Sequence, residues 1–220
     1  MKVNYKCLML DHDDTAVNST PEIHYPCFVK TVELFRPHHY ILTLDEFLNA
    51  CFYPGLFDYY IKELGFTKEE MALEFEMWQK YVMTCTPHFF DGIGDVIAKF
   101  KAAGGTFAVS SQSHKEIILR DYGTQLGFEP DFIYGCELPN DKCKPEPFSV
   151  TDVCEKCGIL PSDVLVVDDL RTGLEMAKTA GAHFAAAGWS HTVPEIAAFM
   201  KEHSETYLSS VSELDDLLFG

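Results

Sequence analysis

Two aspartates, Asp11 and Asp13, directly follow a short apolar run at residues 7–10. Carboxylates two positions apart in a tight loop can turn toward one point, where they repel each other. A hard cation with oxygen ligands, or a shared proton, relieves that repulsion. The pair therefore indicates a divalent-cation site or an acid/base pair, whereas the plain alternative is an Asp-rich turn after a strand.

A second acidic pair, Asp168 and Asp169, follows another apolar run at residues 164–167. Acid pairs at the ends of two buried strands can converge on one ion. Magnesium in proteins takes few carboxylates, keeps several waters and binds substrate phosphate. The alternative is a solvated turn or a helix cap at Asp169, but two such pairs after two strong apolar runs favour one shared Mg²⁺ site.

Hydroxyl and ammonium donors stand in similar places. Ser110 and Ser111 follow the apolar residues 106–109, and Lys144 lies in the segment 144–147, where two prolines stiffen the chain before a helix. Such donors suit phosphoryl oxygens. A serine after a strand is usually a helix cap and a lysine is usually solvated, so the assignment depends on the acids nearby.

Apolar runs of strand length alternate with helix-like patterns along most of the chain. Between them, apolar residues recur with the spacing of a helix, as in Ile93, Val96, Ile97 and Phe100. This alternation predicts βαβ units and a parallel sheet, in which ligands bind beyond the carboxyl ends of the strands. The predicted strands are at residues 5–10, 106–109, 132–134, 164–167, 183–187 and 207–208.

The stretch from about residue 18 to residue 86 has helical patterns without a clear strand. Residues 43–46 and 67–70 each fit a capping box, in which a threonine and a glutamate close the start of a helix. We therefore predict a helical insertion at 18–86 in a core made of residues 1–17 and 87–220.

The order of these motifs resembles that of the haloacid dehalogenase superfamily. The sequence Asp11-His12-Asp13-Asp14-Thr15, then a serine, Lys144-Pro145 and Asp168-Asp169 each follow a predicted strand. The resemblance covers essentially the whole chain and is greatest to the subgroup with a helical cap between the first two motifs. That subgroup includes phosphoglycolate phosphatases and β-phosphoglucomutases. The resemblance implies a Rossmann-like, doubly wound α/β core with residues 18–86 as the cap.

The resemblance also implies a role for each matching acid. Asp11 would attack phosphorus and form an aspartyl-phosphate, and Asp13 would protonate the leaving oxygen and then activate water. Asp11, the backbone carbonyl of Asp13, and Asp169 would hold Mg²⁺, with Asp168 in support. An acid at position 13 favours phosphate esters over halides because an alkoxide needs a proton to leave.

Ser110, Ser111 and Lys144 are the phosphate-binding residues that the resemblance implies, with Ser110 and Lys144 holding the transferring phosphoryl group. Ser111 stands where relatives often have asparagine. Asp14 replaces the glycine that is usual after the second aspartate, and aspartate tolerates unusual backbone angles better than most residues.

Four further residues are candidates for substrate contact. His12 lies between the two carboxylates, although strand alternation would also allow it to point into the core. His24 lies near the first helix of the predicted cap, and Gln112 and His114 follow the second motif. For His114 the alternative is an exposed residue at the start of a helix.

The formal net charge is −17, from 17 basic and 34 acidic residues. Such a chain repels nucleic acid and anionic membranes, so neither is an expected partner. The expected partner is a small phosphorylated metabolite drawn in by the local cations, and the protein is expected to be a monomer or a small homo-oligomer. The first residues lack a signal-peptide pattern and no apolar run could span a bilayer, which predicts the cytoplasm.

The eight cysteines of such a chain are expected to be free thiols. Four of them, Cys136, Cys143, Cys154 and Cys157, could form a zinc site. Only one short CxxC pair is present among them, whereas a structural zinc usually has two. We therefore favour their use as small apolar side chains.

The predicted function is Mg²⁺-dependent hydrolysis of a small phosphate monoester through an aspartyl-phosphate. Two alternatives stay open. A phosphomutase would use the same groups but return the phosphoryl group to a second hydroxyl of the substrate. A phospho-acceptor regulatory module would also combine paired acids, a hydroxyl, a lysine and Mg²⁺, but such modules lack a helical insertion after the first strand.

Overall fold

The structure, a computed structural model, describes residues 3–220. Six parallel strands form one sheet in the spatial order β3-β2-β1-β4-β5-β6. This order confirms the predicted doubly wound α/β sheet. The strands are β1 (Cys7–Leu10), β2 (Thr106–Ser110), β3 (Phe132–Tyr134), β4 (Val164–Asp168), β5 (His183–Ala187) and β6 (Thr206–Leu208).

The strand β1 lies in the middle of the sheet between β2 and β4. Its last residue, Leu10, pairs with Val109 of β2 and with Val167 of β4. All residues of β1 and β4 are buried, as their unbroken apolar runs predict for strands covered on both faces. The residues that follow these three strands therefore meet at one edge of the sheet.

The chain divides into two compact units. The larger one contains residues 3–18, 89–192 and 197–220, and the smaller one contains residues 19–88 and 193–196. The helices within residues 3–220 are α1 (Tyr25–Phe35), α2 (Leu44–Phe52), α3 (Leu56–Asp58), α4 (Lys68–Thr84), α5 (Ile93–Ala102), α6 (Lys115–Asp121), α7 (Phe148–Cys157), α8 (Arg171–Ala180), α9 (Pro194–His203) and α10 (Val211–Phe219). Short π-helical turns span Thr20–His24, Tyr59–Glu63 and Tyr122–Leu126, and 3₁₀ turns span Asn140–Lys142 and Pro161–Asp163.

One buried cluster in the core of the larger unit packs one face of the central strands against the helices beside it. Leu8 and Leu10 of β1 pack in one buried cluster with apolar side chains of the neighbouring strands and of α5, α6 and α10. At roughly 1.5–3 kcal/mol for each fully buried large apolar side chain, this burial is the main stabilisation of the sheet. The polar residues at the strand ends are therefore attached to strands that the packed core holds in place.

The smaller unit is helical and has a core of its own. The side chains of Thr43 and Thr67 each accept a hydrogen bond from the backbone N–H three residues on, and the carboxylates of Glu46 and Glu70 accept one from the backbone N–H of those threonines. These are the two capping boxes that the sequence predicts, and they begin α2 and α4. The buried core residues of this unit are Phe28, Val32, Phe47, Tyr60, Leu64 and Phe66.

All eight cysteines are free thiols, as expected. Within residues 3–220, no helix combines the length and the apolar character that crossing a bilayer requires.

Candidate active site

The register of β1 and β4 places Asp11 beside Asp168. Asp11 follows the last residue of β1, and its backbone N–H donates to the carbonyl of Val167 at 2.9 Å. Asp168 is the last residue of β4, and both aspartates are at most 5% exposed. Backbone pairing thus places two acids that are far apart in sequence side by side.

Lys144 joins these two carboxylates. Its Nζ donates to Asp11 Oδ1 at 2.7 Å and to Asp168 Oδ2 at 2.6 Å, and the lysine side chain is only 4% exposed. Burial lowers the pKa of Lys144, but the charges of the two aspartates outweigh it and raise that pKa above its ordinary value. The lysine is therefore a fixed cation at neutral pH.

The negative charge around Asp11 exceeds what Lys144 neutralises. Burial raises the pKa of Asp11 well above its ordinary value; Lys144 opposes this shift, while Asp168 and Asp13 add to it. Burial also raises the pKa of Asp169 well above its ordinary value, and the nearby Asp14 and Asp168 raise it further. A second cation at this point would stabilise the ionised forms of both carboxylates.

Asp11, Asp168 and Asp169 can supply the ligands for such a cation. Each offers one carboxylate oxygen, and these oxygens lie within 4.8 Å of one another. Both oxygens of Asp168 already accept hydrogen bonds, one from Lys144 and one from the backbone N–H of Leu170 at 2.8 Å. Asp11 and Asp169 are therefore the better direct ligands, and three hard oxygen donors suit Mg²⁺.

Two hydroxyl groups hold the side chain of Asp13. Ser113 Oγ donates to Asp13 Oδ2 at 2.6 Å, and Ser111 Oγ donates to the same oxygen at 3.3 Å. The backbone N–H of Ser113 in turn donates to Ser111 Oγ at 3.0 Å. Ser113 is a site residue that was not predicted; its signal in the sequence is a further serine two positions after Ser111 in the same loop.

The structure does not bring the Ser110 hydroxyl to these acids. Ser110 Oγ donates to Ser149 Oγ at 3.0 Å and lies 3.8 Å from Met176 Sδ, so it faces the buried start of α7. Successive residues of a strand point to opposite faces, so when Ser110 turns inward its successor Ser111 turns to the site. The structure therefore contradicts the prediction that the Ser110 hydroxyl binds phosphate, whereas phosphate binding by Ser111 and Lys144 stays a prediction.

The prediction that His12 contacts substrate is corrected for the same reason. Its side chain is 1% exposed, and its Nε2 lies 3.3 Å from Asp121 Oδ2. The ring packs near Phe89 and Tyr122 in the core of the larger unit. His12 thus points away from the acids on either side of it, as strand alternation allows.

The other three candidates for substrate contact have different surroundings. His24, in the smaller unit, accepts a hydrogen bond at Nδ1 from Trp78 Nε1 at 3.2 Å. His114 precedes α6, with its Nδ1 3.0 Å from Glu137 Oε1. Gln112 is exposed in the loop between Ser111 and Ser113. Contact of these three with substrate stays a prediction.

Asp14 adopts the backbone conformation that glycine usually provides. Its φ of 55° is the single positive value among the non-glycine residues of the described chain 3–220. Aspartate enters this left-handed region at lower cost than most residues. Asp14, which stands where glycine is usual, is thus compatible with the tight loop after β1.

Comparisons with known proteins agree with this geometry. The sequence profile of the haloacid dehalogenase-like hydrolases matches residues 8–187. A phosphoglycolate phosphatase of Thiobacillus denitrificans is 22% identical in an alignment of 189 positions that covers 80% of each chain. A haloacid dehalogenase-like hydrolase from Bacteroides fragilis is 18% identical, with a TM-score of 0.79 over 96% of this chain and 100% of that one.

A further solved structure, CbbY from Rhodobacter sphaeroides in complex with phosphate, is 19% identical and covers 96% of both chains with a TM-score of 0.71. At these identities the solved structures support the fold, whereas the profile covers most of the chain and includes all four predicted motifs. The chain therefore belongs to the haloacid dehalogenase-like hydrolases, as its motif order predicts.

Proposed function

We propose that this enzyme hydrolyses a small phosphate monoester, with Asp11 as nucleophile and Asp13 as general acid and base. The observation that carries the proposal is the position of Asp11. Its carboxylate is bonded to Lys144 and adjoins the oxygens of Asp168 and Asp169, and Asp13 is fixed two residues away. The related phosphoglycolate phosphatase and the phosphate complex of CbbY support a phosphorylated substrate.

In the first half-reaction, an oxygen of Asp11 attacks phosphorus and the bond from phosphorus to the ester oxygen breaks. Asp13 gives its proton to the departing alkoxide, which leaves as an alcohol. The phosphoryl group is then bound to Asp11 as an acyl phosphate. The two serine hydroxyls on Asp13 Oδ2 fix that carboxyl group, so its other oxygen is the one that can carry the transferred proton.

In the second half-reaction, Asp13 is a carboxylate and takes a proton from water. The water oxygen attacks phosphorus, and the bond between phosphorus and Asp11 breaks. Inorganic phosphate leaves, and both aspartates return to their starting states. One carboxyl group thus serves as acid and then as base, as microscopic reversibility requires.

Charge on the phosphoryl oxygens is offset from two sides. Lys144 is a buried cation beside Asp11, and the Ser111 hydroxyl, whose hydrogen bond to Asp13 is 3.3 Å long, can turn to donate to a phosphoryl oxygen instead. The carboxylates of Asp11 and Asp169, with the backbone carbonyl of Asp13 and support from Asp168, are proposed to hold Mg²⁺. When bound, Mg²⁺ neutralises charge on the phosphoryl group and on the acids.

The first test is a screen of sugar phosphates, phosphoglycolate and an aryl phosphate, with Mg²⁺ or with EDTA. We expect release of inorganic phosphate that EDTA abolishes and added Mg²⁺ restores. Without the metal, the pKa values of Asp11 and Asp169 are raised, and a bound Mg²⁺ would stabilise their ionised forms. Phosphate and substrate isomers are both measured.

The products of this screen separate the candidate functions. Formation of an isomerised sugar phosphate without free phosphate would show that the enzyme is a phosphomutase and not a hydrolase. A stable phosphoprotein without turnover of any compound would instead support a phospho-acceptor module. Equal phosphate release with EDTA and with Mg²⁺ would contradict the proposed metal site.

A second test compares Ser110, the last residue of β2, with Ser111 and Ser113 of the loop that follows. Ser113→Ala removes the shortest hydrogen bond to Asp13, so we expect kcat to fall by about 10- to 100-fold, with a smaller change in KM. Ser111→Ala should lower kcat/KM as well, because its hydroxyl faces the site. Ser110→Ala is the matched control and should keep most activity, since its hydroxyl is bonded to Ser149.

Kinetics with the aryl phosphate, beside near-UV circular dichroism of each variant, distinguishes these outcomes. If Ser110→Ala lost as much activity as Ser113→Ala while both kept the fold, the assignment of the hydroxyls would be wrong.

A further inference from the structure

A second group of potential metal ligands shares no residue with the aspartate cluster. His114, Cys136 and Glu137 each offer one ligand atom, and the three atoms lie within 4.8 Å of one another. His114 precedes α6, whereas Cys136 and Glu137 lie in the loop that follows β3. A nitrogen, a sulfur and an oxygen donor are thus gathered from two segments of the larger unit.

Backbone hydrogen bonds hold the two segments together. The N–H of Cys136 donates to the carbonyl of Ser113 at 3.1 Å, and the N–H of Lys115 donates to Glu137 Oε1 at 2.8 Å. The same Glu137 oxygen lies 3.0 Å from His114 Nδ1. The three side chains are therefore already positioned, which lowers the entropic cost of gathering them around an ion.

Gly135 makes this close approach of the two segments possible. A Cβ atom at this position would lie 2.5 Å from Glu137 Oε2, 2.8 Å from the Ser113 carbonyl and 2.9 Å from the Lys115 backbone nitrogen. Real Cβ atoms do not approach backbone atoms so closely. Any other residue at 135 would separate the loop after β3 from the start of α6.

We propose that His114, Cys136 and Glu137 bind a zinc-type divalent ion, with water at the fourth position. Thiolate, imidazole and carboxylate are all ligands of Zn²⁺, and three protein ligands with one open position suit its tetrahedral geometry. Mg²⁺ prefers oxygen ligands throughout, so the sulfur and nitrogen donors separate this site from the aspartate cluster.

This site differs from the zinc alternative that the sequence suggests. Within the described chain 3–220, the two groups of candidate metal ligands contain neither Cys154 nor Cys157. Those two cysteines lie on α7, where Cys157 Sγ is 3.9 Å from Thr106 Oγ1. Cys143 Sγ donates to the carbonyls of Leu138 and Pro139. Of the four cysteines considered from the sequence, Cys136 alone is a ligand here.

The test titrates the reduced protein with Co²⁺ under argon, in the presence of saturating Mg²⁺ and a phosphine reductant. Tetrahedral Co²⁺ bound to a thiolate gives visible ligand-field bands and a near-ultraviolet sulfur-to-cobalt charge-transfer band. We expect both bands to saturate at one Co²⁺ per chain and to disappear when Zn²⁺ is added.

Three variants locate the ion. Cys136→Ser should abolish the charge-transfer band, and His114→Ala should weaken Co²⁺ binding by at least about tenfold. Cys157→Ser is the matched control, because this half-buried cysteine lies on α7, and it should bind Co²⁺ as the parent protein does. Circular dichroism of each metal-free variant checks that the fold is kept.

Absence of both bands in the parent protein would overturn the proposal. A charge-transfer band that persists in Cys136→Ser would overturn it as well. His114→Ala provides an independent test if Cys136→Ser does not fold, and unchanged Co²⁺ affinity in His114→Ala would also overturn it. The readout involves no turnover and depends on sulfur, which the aspartate cluster lacks. Its failure would therefore leave the proposed phosphatase function untouched.

Discussion

We expect the replacement of Asp11 by asparagine to abolish phosphate release while the protein keeps its fold. Asparagine has nearly the same shape, but its amide oxygen cannot form the acyl phosphate. We expect kcat to fall by at least about 10⁴-fold, as for other enzymes that lose their nucleophile. The measurement is phosphate release from an aryl phosphate with Mg²⁺, beside thermal unfolding and near-UV circular dichroism.

The stability of the Asp11→Asn variant has a predicted dependence on pH. Burial raises the pKa of Asp11 in the folded protein, so the folded state holds this proton more tightly than the unfolded state does. Ionisation of Asp11 therefore lowers the free energy of unfolding as pH rises from the pKa of Asp11 in the unfolded state through its pKa in the folded state. Without metal, Asp11→Asn should be at least as stable as the parent protein at neutral pH, and this difference should vanish below the unfolded pKa.

The control for Asp11→Asn is Asp91→Asn, which makes the same chemical change at an exposed position of the same unit. We expect the control to keep full activity. Undiminished turnover in Asp11→Asn would remove Asp11 as the nucleophile.

Lys144→Met should lower both stability and activity. The substitution keeps an unbranched side chain of similar length but leaves the buried carboxylates of Asp11 and Asp168 without their cation. Breaking a buried ion pair by removing one partner costs about 3–5 kcal/mol. Denaturant unfolding in EDTA at neutral pH measures this loss, and kcat should fall by about 10²- to 10³-fold because a donor to the phosphoryl group is lost.

The matched control for this change is Lys156→Met. Lys156 Nζ lies 2.6 Å from Asp152 Oδ2, the same distance as between Lys144 and Asp168, but the Lys156 side chain is 52% exposed. An exposed pair contributes about 0–1 kcal/mol, so this variant should lose little stability. Similar losses in the two variants would contradict the special role of Lys144.

The loss in Lys144→Met should shrink under two conditions. Lys144 lowers the pKa of Asp11, so without the lysine this carboxyl takes up a proton at higher pH and the uncompensated charge disappears on acidification. Saturating Mg²⁺ should also restore part of the stability, because it binds the folded state at the same carboxylates. A loss independent of both pH and Mg²⁺ would indicate a packing defect instead of an unpaired charge.

The sheet and its acidic edge could be predicted because the signals are local and repeated. Buried parallel strands are continuous apolar runs, and the residues after them must meet at one edge. Asp11, Asp168 and Asp169 follow from that rule together with the family resemblance. The capping boxes at Thr43 and Thr67 could be predicted equally well, because all their groups lie within four residues of sequence.

The direction of individual side chains could not be predicted so well. Whether Ser110 or Ser111 faces the acids depends on where β2 ends, and a shift of one residue reverses the answer. The inward turn of His12 has the same origin. Ser113 depends on the path of the loop after β2, and the meeting of His114 with Cys136 depends on the approach that Gly135 permits.

Chemical trapping of the acyl phosphate tests the central claim most directly. The enzyme is mixed with substrate and Mg²⁺, quenched, and treated with borohydride, which reduces an aspartyl-phosphate to homoserine. Peptide mass spectrometry should find homoserine at position 11 in the parent protein and none there in Asp11→Asn. Turnover without any modification at residue 11, or reduction at another carboxylate, would contradict the account.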